Sequence, residues 1–498
     1  MNFKLKLEVK ESKFIFNSNS AVVKFFTDDK NLKKNFDLYE NKNKLKNNSL
    51  IKNEFVNGDK NNITLNTSDG KPDVYYLVKV KIDEKFSVDY FRNYFAGLIQ
   101  NLKTEKIKYL HVEIPEYVDY KNYFDEEYFY RSMAEGIFLG NYTFDNYKTD
   151  VKKVESINVY FHSNNKKIIE RAVLKAEKII DAVAFTKDLI NEPAITLTPF
   201  ELAKRTKKEF YNSGVKFTIF NKAELQKRKM GAILAVGGAS KNEPNMIILN
   251  YKPKTKIKKK IALVGKGVTY DTGGLSIKTT AGMFEMKADM AGGAVVIGII
   301  KAAAALNLPV ELIGIVPAVE NSISGNAFRP GDIIKTASGK SIEVLDTDAE
   351  GRLILADALE FASKQNPDEI IDFATLTGAI AVALGLFTSG LFTKSDSISD
   401  SLLASGYKTY ERTWRMPMWD DFNEDLKSDI ADVKNLGPRW GGAITAAKFL
   451  EHFVDNKIPY AHLDIAGPTL KHKLTKYTEK YHTGYGVRMI IDYLEKIN

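Results

Sequence analysis

A two-domain α/β protein, with a smaller domain first and a larger one second, is the fold class this chain predicts. Three observations predict it. The chain has 498 residues, more than one hydrophobic core usually serves. From residue 198 onward, stretches of helical periodicity alternate with short apolar runs, the pattern of strands joined through helices in a mostly parallel or mixed central sheet. Between that region and the first 160 residues lies one long amphipathic run without proline. A hydrophobic share of 44% beside 27% charged residues is ordinary for a globular protein.

Residues 1–6 alternate apolar and basic side chains, as a strand does, and lack the apolar core of a secretion signal. A cytoplasmic protein is expected. Alternation predicts a strand over 74–80 and helical spacing a helix over 88–102. Apolar residues at helical spacing (Ile168, Ile169, Val173, Ala176, Ile179, Ile180, Val183) predict a long helix from 166 to 189, ended by Asn191 and Pro193. The expected division is therefore an N-terminal α/β domain over 1–165, a connecting helix over 166–192 and a catalytic α/β domain over 193–498. Beyond the helix, 202–213, 290–306 and 349–365 read as helices, and 216–220, 246–250, 261–264, 310–317 and 369–375 as strands. Ligands in such a sheet bind at the carboxyl ends of strands, and Asp271, Asp348 and Thr375 all fall just past one. A charge-free window at 373–393 has the length of a membrane span. Its glycines, threonines and serine predict buried loop and helix inside a domain instead, and no membrane is expected as a partner.

Composition narrows the chemistry. No cysteine is present, which excludes disulfides and thiolate metal sites, and the six histidines, at 111, 162, 452, 462, 472 and 482, form no His-Glu-x-x-His helix. A metal would be held mainly by oxygen, which favours Mn²⁺, Mg²⁺ or Zn²⁺. The net charge of +9 raises nucleic-acid binding as a second class. The lysines are interleaved with asparagine, as in 41–48, and the densest basic run, 252–260, leads straight into an apolar strand. A solvated edge is expected there, and nucleic acid is not an expected partner. Ser338-Gly339-Lys340-Ser341 imitates the end of a phosphate-binding loop, but Ile334 stands where its first glycine belongs and a strand-like run follows.

Two polar clusters remain. Asp346-Thr347-Asp348-Ala349-Glu350-Gly351-Arg352-Leu353 puts three carboxylates and a guanidinium just after an apolar run. Crowded carboxylates repel unless a cation sits among them, and Asp348 and Glu350 point the same way in extended chain. Alone, the stretch reads equally as a solvated acidic turn. Upstream, the run 261–264 breaks into a glycine-rich loop carrying Lys266, Asp271, Gly273 and Gly274. Lys278 follows, then a helix-like run with Met283, Glu285, Met286, Lys287 and Asp289, next to Gly292, Gly293 and Ala294. Lys266 reads as a ligand or as a salt-bridge partner of Asp271, and Met286 as pocket lining or core.

These clusters, with Asn191-Glu192-Pro193, the 372–378 stretch, Ser428-Asp429-Ile430-Ala431-Asp432 and His462-Leu463-Asp464-Ile465-Ala466-Gly467, resemble the leucyl aminopeptidase family. Its members are dinuclear zinc or manganese exopeptidases marked by Asn-Thr-Asp-Ala-Glu-Gly-Arg-Leu, and the resemblance runs from about residue 188 to the end. It implies an aminopeptidase that releases leucine and other apolar N-terminal residues from peptide substrates. It also implies two divalent ions (Zn²⁺ or Mn²⁺) per subunit, sharing a bridging hydroxide. Lys266, Asp271, Asp289 and Glu350 would hold the tighter ion. Asp271, Asp348 and Glu350 would hold the exchangeable one, Asp348 also through its backbone carbonyl, with Asp271 and Glu350 bridging. Lys278 would stay protonated toward the substrate carbonyl, and Arg352 would bind a bicarbonate acting as general base. Met286, Thr375, Gly378 and Ala466 would line the side-chain pocket, and the Leu376 carbonyl would hold substrate backbone. A homohexamer with sites facing an interior cavity is implied too. A few family members also bind DNA, which keeps a DNA-binding or architectural role on the peptidase scaffold as the alternative.

The chain departs from the family pattern at Asp346, where asparagine is usual. The extra carboxylate is expected to alter metal affinity or the field felt by the substrate amine. Pro438-Arg439-Trp440 stands in what is often a glycine-rich loop at the site's rim, and its bulk is expected to affect access. The N-terminal domain matches only in position and size.

Overall fold

The computed structural model describes residues 4–10, 16–67, 72–84, 86–149 and 156–497; residues 1–3, the start of the expected first strand, lie outside them. The chain forms two compact units, Met1–Ile180 and Asp181–Asn498. The division falls within the helix Lys166–Asn191, whose Ile169, Ala172, Val173, Ala176, Ile179 and Ile180 are buried at the spacing that predicted it.

The first unit is built on a sheet in the order Leu5–Lys10, Ile157–His162, Tyr109–Glu113, Ser20–Thr27, Val74–Val80, Asn62–Thr67, Leu45–Lys46. Its first five strands run parallel. Alternation along Ser20–Thr27 sends Ala21, Val23 and Phe25 into a cluster with Phe91, Phe95 and Phe129 on one face. It sends Val22 and Phe26 toward Phe36 and Phe55 on the other. Both faces are covered, as a parallel sheet requires.

The second unit holds a mixed sheet whose path is Thr413–Arg415, Ser389–Thr393, Tyr460–Asp464, Glu369–Ala374, Lys260–Gly265, Glu311–Asn321, Asn245–Tyr251, Lys216–Phe220, with Gly267–Asp271 also paired to Glu311–Asn321. The central strands from Tyr460–Asp464 to Glu311–Asn321 are parallel, so their carboxyl ends open on one side. The helix Ala291–Leu306 packs so closely that a Cβ on Gly292 would stand 2.0 Å from the Phe373 oxygen. Only glycine fits there.

The structure departs from the sequence reading mainly at element ends. The segment 267–271, expected as glycine-rich loop, is a strand: Val268, Thr269 and Tyr270 favour extended backbone and find a partner in residues 318–321. Glu311–Asn321 runs past its expected end at 317 for the same reason. The helix expected at 202–213 is Pro199–Glu209, started by Thr198 capping the Glu201 amide at 3.3 Å and by proline in its first turn. The helix-like run at 283–289 is two short turns, Thr280–Met283 and the 3-10 turn Met286–Ala288.

The window 373–393 is a strand end, the helix Gly378–Leu384 and the strand Ser389–Thr393. That helix is not buried as expected, Val382 being 89% exposed. The stretch Thr280–Leu306 is long and apolar enough to cross a membrane, and 78% of its apolar window is buried inside the protein. Ser338-Gly339-Lys340-Ser341 turns a hairpin between Ile333–Lys335 and Ser341–Glu343, which is not a strand-loop-helix phosphate site. In the basic run, Lys252 reaches Glu311 at 3.5 Å and Lys259 pairs with Glu369.

Candidate active site

Strand ends carry the polar cluster. Lys266 follows Lys260–Gly265, Asp271 ends Gly267–Asp271, Asn321 ends Glu311–Asn321 and Thr375 follows Glu369–Ala374. Asp289 sits just before the helix Ala291–Leu306 and Glu350 opens the helix Glu350–Ser363. A Cβ on Gly351 would meet Lys266 Cε at 2.5 Å, so the missing side chain is what lets Lys266 lie across the start of that helix.

Lys266, with 4% of its side chain exposed, reaches Asp289 Oδ2 at 2.8 Å and Glu350 Oε1 at 2.9 Å and donates to the Thr375 carbonyl at 3.0 Å. Of the two readings of Lys266, a pairing with Asp271 is thus replaced by pairings with Asp289 and Glu350. Lys278 reaches Asp271 Oδ2 at 2.9 Å and also contacts Asp348 Oδ1. Asp271, Asp348 and Glu350 each bring one carboxylate oxygen within 4.8 Å of the others. Glu350 Oε2 is buried with no hydrogen-bond partner among the described residues.

Burial lifts Asp289, Glu350 and Asp348 above the usual carboxylate range, with neighbouring carboxylates adding to it and the lysines opposing it; Asp348 is pushed up to about 7. Burial pulls the lysines down, but the surrounding carboxylates outweigh it and hold Lys266 and Lys278 above the ordinary lysine value. The cluster therefore calls for more positive charge than two ammonium groups supply. An oxygen-rich donor set of this kind fits hard or borderline divalent ions.

Arg352 lies two residues along the helix from Glu350 and is buried. Its Nη1 donates to the Asn435 carbonyl at 2.6 Å, and its Nε is buried with no hydrogen-bond partner among the described residues. Burial brings its pKa down to about 10 against the pull of Glu350, Asp464 and Asp346, so it stays cationic at neutral pH.

Three of the five residues expected to bind substrate, Thr375, Leu376 and Ala466, are held by two carboxylates. Thr375 Oγ1 donates to Asp289 Oδ1 at 2.8 Å. Leu376 N and Ala466 N donate to Asp464 Oδ1 at 3.1 and 3.2 Å. Gly378 opens its helix in an exposed position, with nothing within 4 Å of where a Cβ would stand. Met286 is half-buried on the turn three residues before Asp289. The Arg439 guanidinium lies 5.4 Å over the Trp440 ring, and Trp440 is 78% exposed.

Sequence reading missed three buried side chains that hold the site's loops. Asn321 Nδ2 donates to Asp271 Oδ1 at 2.8 Å and to the Thr347 carbonyl at 3.0 Å. Asn435 Oδ1 accepts Leu345 N at 2.8 Å, and its Nδ2 donates to the Asp346 carbonyl at 2.7 Å. Asp464 Oδ2 accepts Thr377 Oγ1 at 2.7 Å. The one available signal was positional: Asn321 and Asp464 both end strands whose carboxyl ends face the site.

The chain matches the model described as cytosol aminopeptidase family, catalytic domain, over residues 184–491, and that family's N-terminal domain over residues 22–151. The probable cytosol aminopeptidase of Protochlamydia amoebophila is 42% identical, covering 83% of this chain and 83% of that protein. The corresponding protein of Aquifex aeolicus is 41% identical, covering 87% of this chain and 86% of its own length. Among solved structures, a tomato leucine aminopeptidase variant superposes with a TM-score of 0.86 at 31% identity, covering 100% of this chain and 97% of that one. The bottromycin maturation enzyme BotP in complex with Mn gives 0.81 at 29% identity, covering 96% and 98%. Two family domains matched in order along one chain, with relatives aligned over most of their own length, make this protein a member of the cytosol aminopeptidase family and an aminopeptidase by activity.

Proposed function

We propose that this aminopeptidase works with two divalent ions held by Lys266, Asp271, Asp289, Asp348 and Glu350, and that it prefers leucine and other apolar residues at the substrate's N-terminus. The observation that carries the reading is the set of Asp271, Asp348 and Glu350 oxygens within 4.8 Å of one another, in a cluster short of positive charge that is buried at Asp271 and Glu350 and more open at Asp348. When bound, such a pair supplies a water acidic enough to attack at neutral pH and a Lewis acid for the scissile carbonyl. Zn²⁺ and Mn²⁺ suit the donors, and the Mn complex of BotP supports manganese as one of them.

Lys266 would give up a proton to become a ligand, since an ammonium has no lone pair. Lys278 keeps its proton at Nζ and, with 18% of its side chain exposed, lies beside Asp271 and Asp348, where it can donate to a developing oxyanion. The free Nε edge of Arg352 suits a planar anion such as bicarbonate, which would take a proton as general base. Thr375, Gly378, Ala466 and Met286 would form the pocket for the N-terminal side chain, none of them bringing a charge, and the Leu376 carbonyl would hold substrate backbone. The family resemblance supports a homohexamer, and the relatives' names support a cytosolic setting.

Hydrolysis of an aminoacyl-amide panel tests the reading, using metal-stripped protein refilled separately with Mn²⁺, Zn²⁺ and Co²⁺. Turnover is expected to return with at least one ion and to favour leucyl and methionyl over acidic substrates. Inactivity with every refill would overturn it.

A further inference from the structure

We propose that Asn321 is a positioning residue that fixes Asp271 and Asp348 for the more exchangeable of the two cations. This rests on the two-ion reading above. Asn321 is fully buried at the end of the strand Glu311–Asn321. Its carbonyl accepts Thr272 N at 3.0 Å and Thr272 Oγ1 at 2.9 Å, so its backbone is tied to the segment that follows Asp271.

Its amide nitrogen has two protons and two acceptors, Asp271 Oδ1 at 2.8 Å and the Thr347 carbonyl at 3.0 Å. The reverse orientation would place an amide oxygen against both acceptors. Asn321 Oδ1 itself is buried with no hydrogen-bond partner among the described residues. An unsatisfied buried carbonyl is destabilising, so the position keeps asparagine for its N–H groups.

Those two bonds act on different ligands. Gly273 N also donates to Asp271 Oδ1, at 2.8 Å. Two neutral donors thus occupy that oxygen, and Oδ2 is the one turned toward the Lys278 ammonium at 2.9 Å. Asp271 therefore offers the cluster one defined oxygen. The bond to Thr347 fixes the peptide plane that leads into Asp348. Thr347 Oγ1 adds to this by donating to the Gly273 carbonyl at 2.7 Å and accepting Ser276 N at 2.8 Å. Asn321 thereby links the two sequence motifs by a side chain that touches neither substrate nor cation, as residues behind metal ligands commonly do.

The test is Mn²⁺ binding to metal-stripped protein, read as the free-ion electron paramagnetic resonance signal, for the parent, Asn321→Ala and the near-isosteric Asn321→Leu. The parent should take up two ions. The variants should lose affinity for the second ion by about 10–100-fold and for the tighter one, which keeps Lys266, Asp289 and Glu350 besides Asp271, by clearly less, with the melting midpoint of the metal-free protein close to the parent's. A second-ion affinity equal to the parent's in either folded variant overturns the assignment. So does equal weakening of both ions with a collapsed metal-free midpoint, or failure of both variants to fold, since each marks a purely structural role. A parent that takes up fewer than two ions fails by itself and brings down the two-ion reading rather than the role of Asn321 alone.

Discussion

The Asp346 carboxylate accepts the backbone N–H of Asp348 at 2.8 Å. That bond closes a tight turn just ahead of Glu350, and any side-chain oxygen at this position could make it. The asparagine usual in the family pattern carries such an oxygen, so the turn accounts for the residue without invoking its charge. Asp346→Asn is expected to keep Mn²⁺ affinity and kcat within about 5-fold, and Asp346→Ala to lose more, since it removes a bond worth about 1 kcal/mol from a ligand-bearing loop. Titration of the metal-stripped variants checks this. A larger loss in Asp346→Asn than in Asp346→Ala would return the charge itself to the explanation.

Ion loading should release protons. Lys266 donates to Asp289, Glu350 and the Thr375 carbonyl and is held above the ordinary lysine value by those carboxylates despite its burial. Burial likewise holds Asp289, Asp348 and Glu350 above theirs. Cations and protons therefore compete for the same cluster, and affinity should rise with pH. Calorimetry in buffers of different ionisation enthalpy counts the protons. A count of zero at pH 7 would exclude Lys266 as a ligand, whereas Lys266→Ala and Glu350→Ala are both expected to abolish turnover.

Arg352 should act on rate rather than on binding. It shares a helix with Glu350, its Nη1 is committed to Asn435, and Leu376 and Ala466, both expected to bind substrate, are held by Asp464 instead. Arg352→Ala is expected to lower kcat by about 10²-fold or more, the usual span for losing a general base, with KM for a leucyl amide little changed. Steady-state kinetics decide it: a KM increase with kcat intact would move Arg352 into substrate binding.

Much of the fold was legible because its elements are strongly patterned. The runs at 216–220 and 261–264 and the long helix at 166–189 each announced themselves by periodicity, and the acidic and lysine residues fell where strand ends place them. The strand Gly267–Asp271 was hidden by its flanking glycines, and only its pairing with Glu311–Asn321 reveals it. Asn435 was unreadable for a different reason. It meets Asp346 because Val433–Lys434 pairs with Ile342–Glu343, a contact across some 90 positions that no local pattern encodes. Asn321 and Asp464 contribute single hydrogen-bonding groups, and a lone asparagine or aspartate at a strand end has no sequence signature of its role.

Acid stability offers a separate check on the turn that carries Met286. His482 is buried, its backbone N–H donates to Asn191 Oδ1 at 3.1 Å, and its Nε2 lies 3.2 Å from Glu285, the residue before Met286. Burial, helped by Lys287 and Lys471 and opposed by Glu285, pushes it from 6.5 to about 4. In the unfolded chain the same ring takes a proton near 6.5. Between those values the unfolded state binds the proton and the folded state does not, so stability is complete above about 6.5 and falls as pH drops toward 4. The loss from this one group amounts to at most about 3 kcal/mol. His482→Gln, which cannot be protonated, should therefore show a shallower fall in melting midpoint between pH 7 and pH 4.5 than the parent. His111, pushed down to about 4 by burial in the first unit, keeps its own contribution in both proteins. Equal slopes for parent and variant would mean that His482 is not a source of the acid sensitivity.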